Sequence, residues 1–227
     1  MSVVIPARNE AATVGHVIDR ALAVLGRSAE VIVVDDGSVD GTAEVVRKSA
    51  AMNPNLRLIS RATSGGKGMA VRMGIAQCRG RYVILQDADL ELDPAAYPSL
   101  LVPLRTGSAA FVNGSRFMSG RGTSPSKTVI ANRLLTLAGN FVYRTHLTDL
   151  CSGHKAFTAE LLASLDIRAR SYELEAELVG LVARRRAPMA EVPTSYRPRT
   201  RREGKRIGAR DGLVVLWTIL ATRLRRL

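Results

Sequence analysis

Tyr82-Val83-Ile84-Leu85-Gln86-Asp87-Ala88-Asp89-Leu90-Glu91 is the stretch on which the reading of this chain turns. Four residues suited to a buried strand run directly into three acids at alternate positions. If extended geometry persists past Leu85, the period of two turns the carboxylates of Asp87, Asp89 and Glu91 to one side. Carboxylates crowded in this way repel one another unless a cation stands among them. A hard divalent ion such as Mg2+ or Mn2+ takes oxygen ligands and bridges carboxylates to phosphates. The plainer reading is an acidic turn ahead of a helix, with Asp93 as N-cap and Pro94 at the first helical position. That accounts for Asp93 and leaves the other three acids unexplained.

The same pattern repeats outward from this point. Ser2-Val3-Val4-Ile5 reads as a buried strand closed by Pro6, and Asn9 as the cap of a helix from about residue 10 to 25. Residues 30–34 form a second strand with its turn at Asp35-Asp36-Gly37-Ser38, and Asp40 caps a helix over 41–51. Residues 56–60 are a third strand, and Ser64-Gly65-Gly66-Lys67-Gly68 leads into a helix through Cys78. Beyond the fourth strand, at 82–85, helices are expected at 94–105, 129–143, 172–185 and from about 207. Strands are expected at 109–113, 155–157 and 190–196. Strand–helix alternation with nearly continuous apolar strands implies an α/β fold, its mainly parallel sheet covered on both faces. Ligands in such sheets bind beyond the C-terminal ends of the strands. The polar runs at 6–10, 35–38, 65–68 and 87–91 all fall at those ends.

Composition sets the limits. The chain has 227 residues, 46% of them hydrophobic, which suffices for one domain with a proper core. No linker, repeat or low-complexity block divides it. Cys78 and Cys151 without a leader at Met1 point to a reducing cytosol and no disulfide. His16, His146 and His154 lack metal-ligand spacing. The net charge is +13, and residues 184–227 carry 13 Lys/Arg against 3 acids. Such a basic end suits nucleic acid, an anionic membrane or a phosphorylated substrate, or is simply a solvated arginine-rich surface. Nucleic acid is the poorest match, because interleaved aromatics and a recognised binding motif are missing.

Taken in order, Val4-Ile5-Pro6-Ala7-Arg8-Asn9-Glu10, Val33-Val34-Asp35-Asp36-Gly37-Ser38, Gly66-Lys67-Gly68 and Asp87-Ala88-Asp89 resemble the inverting family 2 glycosyltransferases. Four later stretches narrow the resemblance: Gly114-Ser115-Arg116, residues 148–153, Tyr172-Glu173-Leu174-Glu175, and Glu191-Val192-Pro193 through Glu203-Gly204-Lys205. Together they look like dolichol- and polyprenyl-phosphate hexosyltransferases, of the dolichol-phosphate mannosyltransferase type. The resemblance implies a GT-A fold over residues 1–206, including a basic acceptor loop at 197–206. It also implies a nucleotide-diphospho-sugar donor, GDP-mannose or UDP-glucose, and a divalent metal, Mg2+ or Mn2+.

Residue by residue, Asp36 follows the second strand, where a carboxylate can accept from a base edge or ribose hydroxyls. By resemblance Pro6, Ala7, Arg8 and Glu10 line the same nucleotide pocket, with Asp87 and Ala88 beside them. Lys67, in a glycine-rich turn before a helix, can set an ammonium beside the diphosphate. Gly68 stands where a P-loop would have Ser or Thr, so this is not that motif. Asp89 is the first choice of metal ligand, with Glu91 beside it and Asp87 on ribose or metal-bound water. Glu91 departs from the amide some dolichol-phosphate mannosyltransferases carry.

A polyprenyl phosphate is already an anionic nucleophile, so its site needs cations and no strong base. Arg116 suits that role through paired guanidinium–phosphate hydrogen bonds, with Arg133 and Lys205 as further candidates. Asp149, Ser152 and Glu175 match family positions near the sugar, and Asp149 is assigned to positioning and not to proton abstraction. The alternative acceptor is a soluble small molecule or glycan.

Residues 207–227 read as a C-terminal amphipathic helix. The apolar run at 213–220 falls far short of the roughly 20 residues a spanning helix needs. It suits the membrane interface, with Trp217 at headgroup level and Arg223, Arg225 and Arg226 on anionic lipid. Its rival is packing on its own domain or on a membrane-protein partner. Peripheral attachment at the cytoplasmic face is the expectation.

Overall fold

The computed structural model describes residues 1–26, 29–118, 127–199 and 208–225. The apolar runs become strands β1 (Ser2–Ala7), β2 (Glu30–Asp35), β3 (Leu56–Ser60), β4 (Tyr82–Leu85), β5 (Phe111–Ser115), β6 (Lys155–Thr158) and β7 (Met189–Pro193). The helices are α1 (Val14–Leu25), α2 (Thr42–Met52), α3 (Lys67–Ile75), α4 (Tyr97–Arg105), α5 (Lys127–Tyr143), α6 (Ala159–Ala163), α7 (Leu174–Arg184) and α8 (Ala209–Leu224). One sheet holds all seven strands in the order β3-β2-β1-β4-β6-β5-β7. Every pairing is parallel except the two made by β6, which runs against β4 and β5. The expected mainly parallel α/β sheet is what forms. Strand order reverses at β1, whose neighbours β2 and β4 lead away on opposite sides, and that crevice is where such sheets take ligands.

Alternation along β1 builds the two faces. Val3 and Ile5 pack with Val14, Val17 and Ile18 of α1 and Leu100 and Leu104 of α4. Val4 turns the other way, into a cluster with Phe111, Phe157, Val179 and Ile219. Burying each such side chain contributes about 1.5–3 kcal/mol. Helix α8 lies against α5 and α7. It buries Val215 and Ile219 and leaves Leu213, Trp217 and Leu220 exposed.

Several boundaries differ from the sequence-based expectation. Strand β1 continues through Pro6 to Ala7. Val4 O accepts from Gln86 N, so two residues on, the missing N–H of Pro6 faces past the end of β4 and costs no ladder bond. Asn9 does not cap α1. With φ at 55°, it stitches two loops together, its Oδ1 accepting from Val39 N and its own N–H donating to Ser38 Oγ. Helix α1 therefore opens only at Val14. Helix α3 stops at Ile75, short of Cys78, and α7 begins at Leu174. The short α6, capped by Thr158, was not foreseen. Most consequentially, extended geometry ends at Leu85, and residues 86–91 form a turn. The acids are gathered by that turn and not by strand alternation.

Candidate active site

Gln86 folds the acidic turn. Its side-chain amide donates to Asp87 O at 3.0 Å and Leu92 O at 3.1 Å. Its Oε1 accepts from Tyr97 Oη at 3.0 Å and pairs with His154 Nε2 at 2.7 Å. All three side chains are fully buried. Because Gln86 Oε1 can only accept, His154 carries its proton on Nε2. Gly153 leaves room for the turn, since a Cβ there would stand 2.2 Å from Asp87 Oδ2. Asp93 caps the following 3-10 turn at Pro94–Ala96 through Ala95 N, as its position suggested.

The three acids do not converge on one point. Asp87 Oδ1 pairs with Lys67 Nζ at 2.5 Å, and the same ammonium meets Glu175 Oε1 at 2.6 Å. Asp89 Oδ2 pairs with Arg199 Nη2 at 2.6 Å, while Arg199 Nη1 straddles both oxygens of Glu10 at 3.0 and 3.1 Å. Glu91 Oε1 accepts from Arg199 N at 2.8 Å. Among the described residues no three His, Cys, Asp or Glu side chains form a ready metal cage. The expected three-carboxylate set is thus spread over two cationic side chains and one strap of chain.

Glu10, Asp87, Asp89, Glu91 and Glu175 gather at this rim, where Lys67 pairs with Asp87 and Glu175, and Arg199 pairs with Glu10 and Asp89 and donates its N–H to Glu91. Burial and the carboxylate of Asp87 push Asp89 up to about 7, with Arg199 pulling it back and Glu91 adding to the rise. Burial also opposes ionisation of Asp87, but Lys67 outweighs it and holds that group below the usual carboxylate range. A set of carboxylate oxygens brought together in this way is the chemistry of a hard divalent cation, so the residues present fit Mg2+ or Mn2+.

On the neighbouring wall Asp36 organises the glycine-rich loop. It accepts from Ser64 Oγ (2.6 Å), Gly65 N (2.9 Å), Gly66 N (2.8 Å) and Arg61 Nη1 (2.9 Å). Burial opposes its ionisation, and these donors outweigh burial, leaving its carboxyl below the ordinary value. Gly66 has φ of 92° and sits so close to the chain that a Cβ would stand 2.0 Å from Arg170 O. Both facts require glycine there. The loop delivers Lys67 to the first turn of α3.

Further along the rim, Arg116 at the end of β5 is nine-tenths buried and locked to Asp149. Its Nε and Nη2 donate to the two oxygens of Asp149 at 2.7 and 2.8 Å, and its backbone N–H adds a third bond at 3.0 Å. Asp149 is fully buried and is in turn held from behind. Glu191 accepts from Asp149 N, Thr148 N, Thr148 Oγ1 and Asn113 Nδ2. Asn113 Oδ1 takes the ammonium of the buried Lys155 at 2.6 Å. Asp149 is thus buried against Arg116 and holds its guanidinium through both oxygens. Phe117 carries Arg116 and Arg133 at equal 5.6 Å from its ring centroid, so the two candidate acceptor arginines share one aromatic platform. Tyr196 lies 5.1 Å from the Arg116 guanidinium carbon on another side.

The remaining candidates scatter. Ala7 and Ala88 are buried in the core cluster. Arg8 is exposed and Pro6 half-buried. Ser152 is fully buried, its Oγ without a hydrogen-bond partner. Lys205 and the rest of the basic loop after Arg199 lie outside the described residues. Sequence reasoning missed Gln86, Tyr97, Asn113, His154, Lys155 and Glu191, which shape the site from below. Gln86 carried a signal, a polar residue directly after an apolar run, and Glu191 stood in a stretch quoted for the resemblance without being given a role.

Comparison with known proteins bears on the family and the fold. The sequence profile described as Glycosyl transferase family 2 matches residues 2–165. A dolichol-phosphate mannosyltransferase of Mycosarcoma maydis is 34% identical over 181 residues, covering 78% of this chain and 60% of that protein. The chain thus spans less than two thirds of that relative's length. An undecaprenyl-phosphate mannosyltransferase of Micrococcus luteus is 30% identical over 243 residues, covering 97% of each. Among solved structures, glucosyl-3-phosphoglycerate synthase from Mycobacterium tuberculosis, in complex with Mn2+, uridine-diphosphate and phosphoglyceric acid, superposes with a TM-score of 0.77. That match is at 27% identity and covers 98% of this chain and 78% of that one. The sheet and its flanking helices are the GT-A-like fold that the motifs implied, and the chain belongs to glycosyl transferase family 2.

Proposed function

We propose that this chain transfers a hexose from a nucleotide-diphospho-sugar to a polyprenyl phosphate, with inversion at the anomeric carbon. The observation that carries the reading is the gathering of Glu10, Asp87, Asp89 and Glu91 where β1, β2 and β4 end, beside a glycine-rich loop that presents Lys67. Asp89, with Asp87 and Glu91, would hold Mg2+ or Mn2+, which supplies Lewis-acid neutralisation of the departing nucleoside diphosphate. Lys67 adds a fixed positive charge at the first turn of α3. The walls formed by residues 6–10 and the loop organised by Asp36 enclose the nucleotide, and Glu175 and Ser152 stand on the sugar side. Arg116, pre-set by Asp149, and Arg133 grip the acceptor phosphate. An oxygen of that phosphate forms the new bond to the anomeric carbon as the bond to the diphosphate breaks. The nucleophile is already anionic, so no proton needs to leave it.

Two helices support a lipid acceptor. Ile130, Leu134, Leu137 and Phe141 of α5 and Leu213, Trp217, Leu220 and Leu224 of α8 are exposed. Between the helix ends lies a depression of about 450 Å³ lined by Phe141, Val142, Leu220 and Leu224 with Arg144 and Arg223. Apolar side chains beside arginines suit the headgroup layer of an anionic membrane. None of the described helices is long and apolar enough to cross one.

A soluble phosphorylated acceptor is the second reading, favoured by the structural likeness to the phosphoglycerate glucosyltransferase. Both acceptors present a phosphate to Arg116, and a direct assay separates them. The chain is incubated with Mn2+, radiolabelled GDP-mannose or UDP-glucose, and either a short polyprenyl phosphate or 3-phosphoglycerate. Label in the organic phase supports the lipid acceptor, label on phosphoglycerate supports the second reading, and label in neither with any donor sinks both.

A further inference from the structure

Arg199 is in an unusual place for a cation carried by irregular chain. It lies six residues past the end of β7, yet its side chain spans two acids from distant parts of the sequence, Glu10 and Asp89. The strap that carries it is tied to the acidic turn along its length. Leu92 bridges Tyr196, Arg197 N donates to Glu91 O at 2.9 Å, and Arg199 N donates to the Glu91 carboxylate. Its guanidinium is the only described cation within salt-bridge distance of Asp89 or Glu10. Lys67, a second described cation of the rim, is anchored in α3 and engages Asp87 and Glu175 instead.

We infer that Arg199 is the resident counter-ion of the donor site and trades places with the divalent ion. With no donor bound, it neutralises Glu10 and Asp89. A metal ion arriving at Asp89 repels the guanidinium, so Arg199 leaves that carboxylate, and the nucleotide's diphosphate is the anion that receives it. The inference rests on the metal-dependent reading above and adds a binding property to it. Metal and nucleoside diphosphate are linked through Arg199 as well as through their own contact, and by linkage each raises the other's affinity by the same factor. The exchange also explains why carboxylates suited to a metal point at a side chain instead of at one another. An arginine in this position keeps the rim from repelling itself apart while the donor is absent.

Mn2+ binding, read by the loss of free-ion signal in electron paramagnetic resonance, tests this on the full chain without any turnover. Wild type, Arg199→Gln and Arg199→Lys are titrated alone and with saturating UDP or GDP, and circular dichroism and melting temperature verify the fold of each variant. Arg199→Gln is expected to bind Mn2+ alone about tenfold more tightly than wild type, and to show a smaller gain on adding nucleotide. Arg199→Lys falls between the two, and adding Asp89→Asn to Arg199→Gln removes the gained binding. Unchanged or weaker binding of Mn2+ alone by a folded Arg199→Gln overturns the exchange and reduces Arg199 to a structural clamp, while nucleotide-dependent Mn2+ binding in the same proteins leaves the metal-dependent reading standing. Absence of Mn2+ binding by every protein, with or without nucleotide, overturns both.

Discussion

Asp149 and Arg116 show what a single residue pair can decide. Either side chain alone reads as a substrate contact; together they form a buried bidentate pair with one shared job. Breaking a buried pair from one side leaves a charge uncompensated, at a cost of about 3–5 kcal/mol. Asp149→Ala and Arg116→Ala are each expected to lose stability in that range by urea denaturation, and the double variant to lose clearly less than the two together. Additive losses would mean the pair is not coupled. Asp36 teaches the same lesson from the other side of the site. Its place after β2 was legible, but its four donors, all from residues 61–66, are contacts no spacing rule foretells.

At the scale of an element, the acidic turn depends on buried polar groups beneath it. His154 lies under Gln86 with its Nδ1 unpartnered. Burial lowers its pKa from 6.5 to about 4, against the weaker pull of Asp87 and Asp93. Between those values the unfolded chain holds the extra proton and the folded chain does not. Stability therefore falls as pH drops through that window and rises as pH is raised through it. Below pH 4 both states are protonated and this contribution stops changing. His154→Gln, which keeps a donor for Gln86, is expected to flatten the loss in denaturation curves between pH 6.5 and 4. An identical slope in both proteins would remove His154 as its source. Sequence periodicity found β4 at its true bounds and then carried it too far. The side-chain amide of Gln86, bonded to two backbone carbonyls, ends extension where the apolar pattern alone permits it to continue.

Over the whole molecule, α8 packs on its own domain, one of the two roles that the sequence left open, and keeps a second face exposed. Its inner face joins the core through Val215 and Ile219, and its end is tied down by Arg225 to the buried Glu177 and by Arg184 to the carbonyls of Arg223 and Arg225. Its outer face is apolar and exposed, with Trp217 at 70% exposure. Ile219→Ala is expected to cost about 2–5 kcal/mol of stability. Trp217→Ser should leave the melting temperature nearly unchanged while weakening co-sedimentation with anionic lipid vesicles. Equal vesicle binding by wild type and Trp217→Ser would take that face out of the membrane reading. The sequence by itself determined the strand–helix order, the parallel sheet and the positions of the polar runs, because apolar periodicity and turn chemistry are local properties of the chain. Only the tertiary structure decided which carboxylate meets which cation. Arg199 lies 110 residues from Asp89 and 189 from Glu10, and charges that far apart in sequence meet only after the sheet and its straps have closed around them.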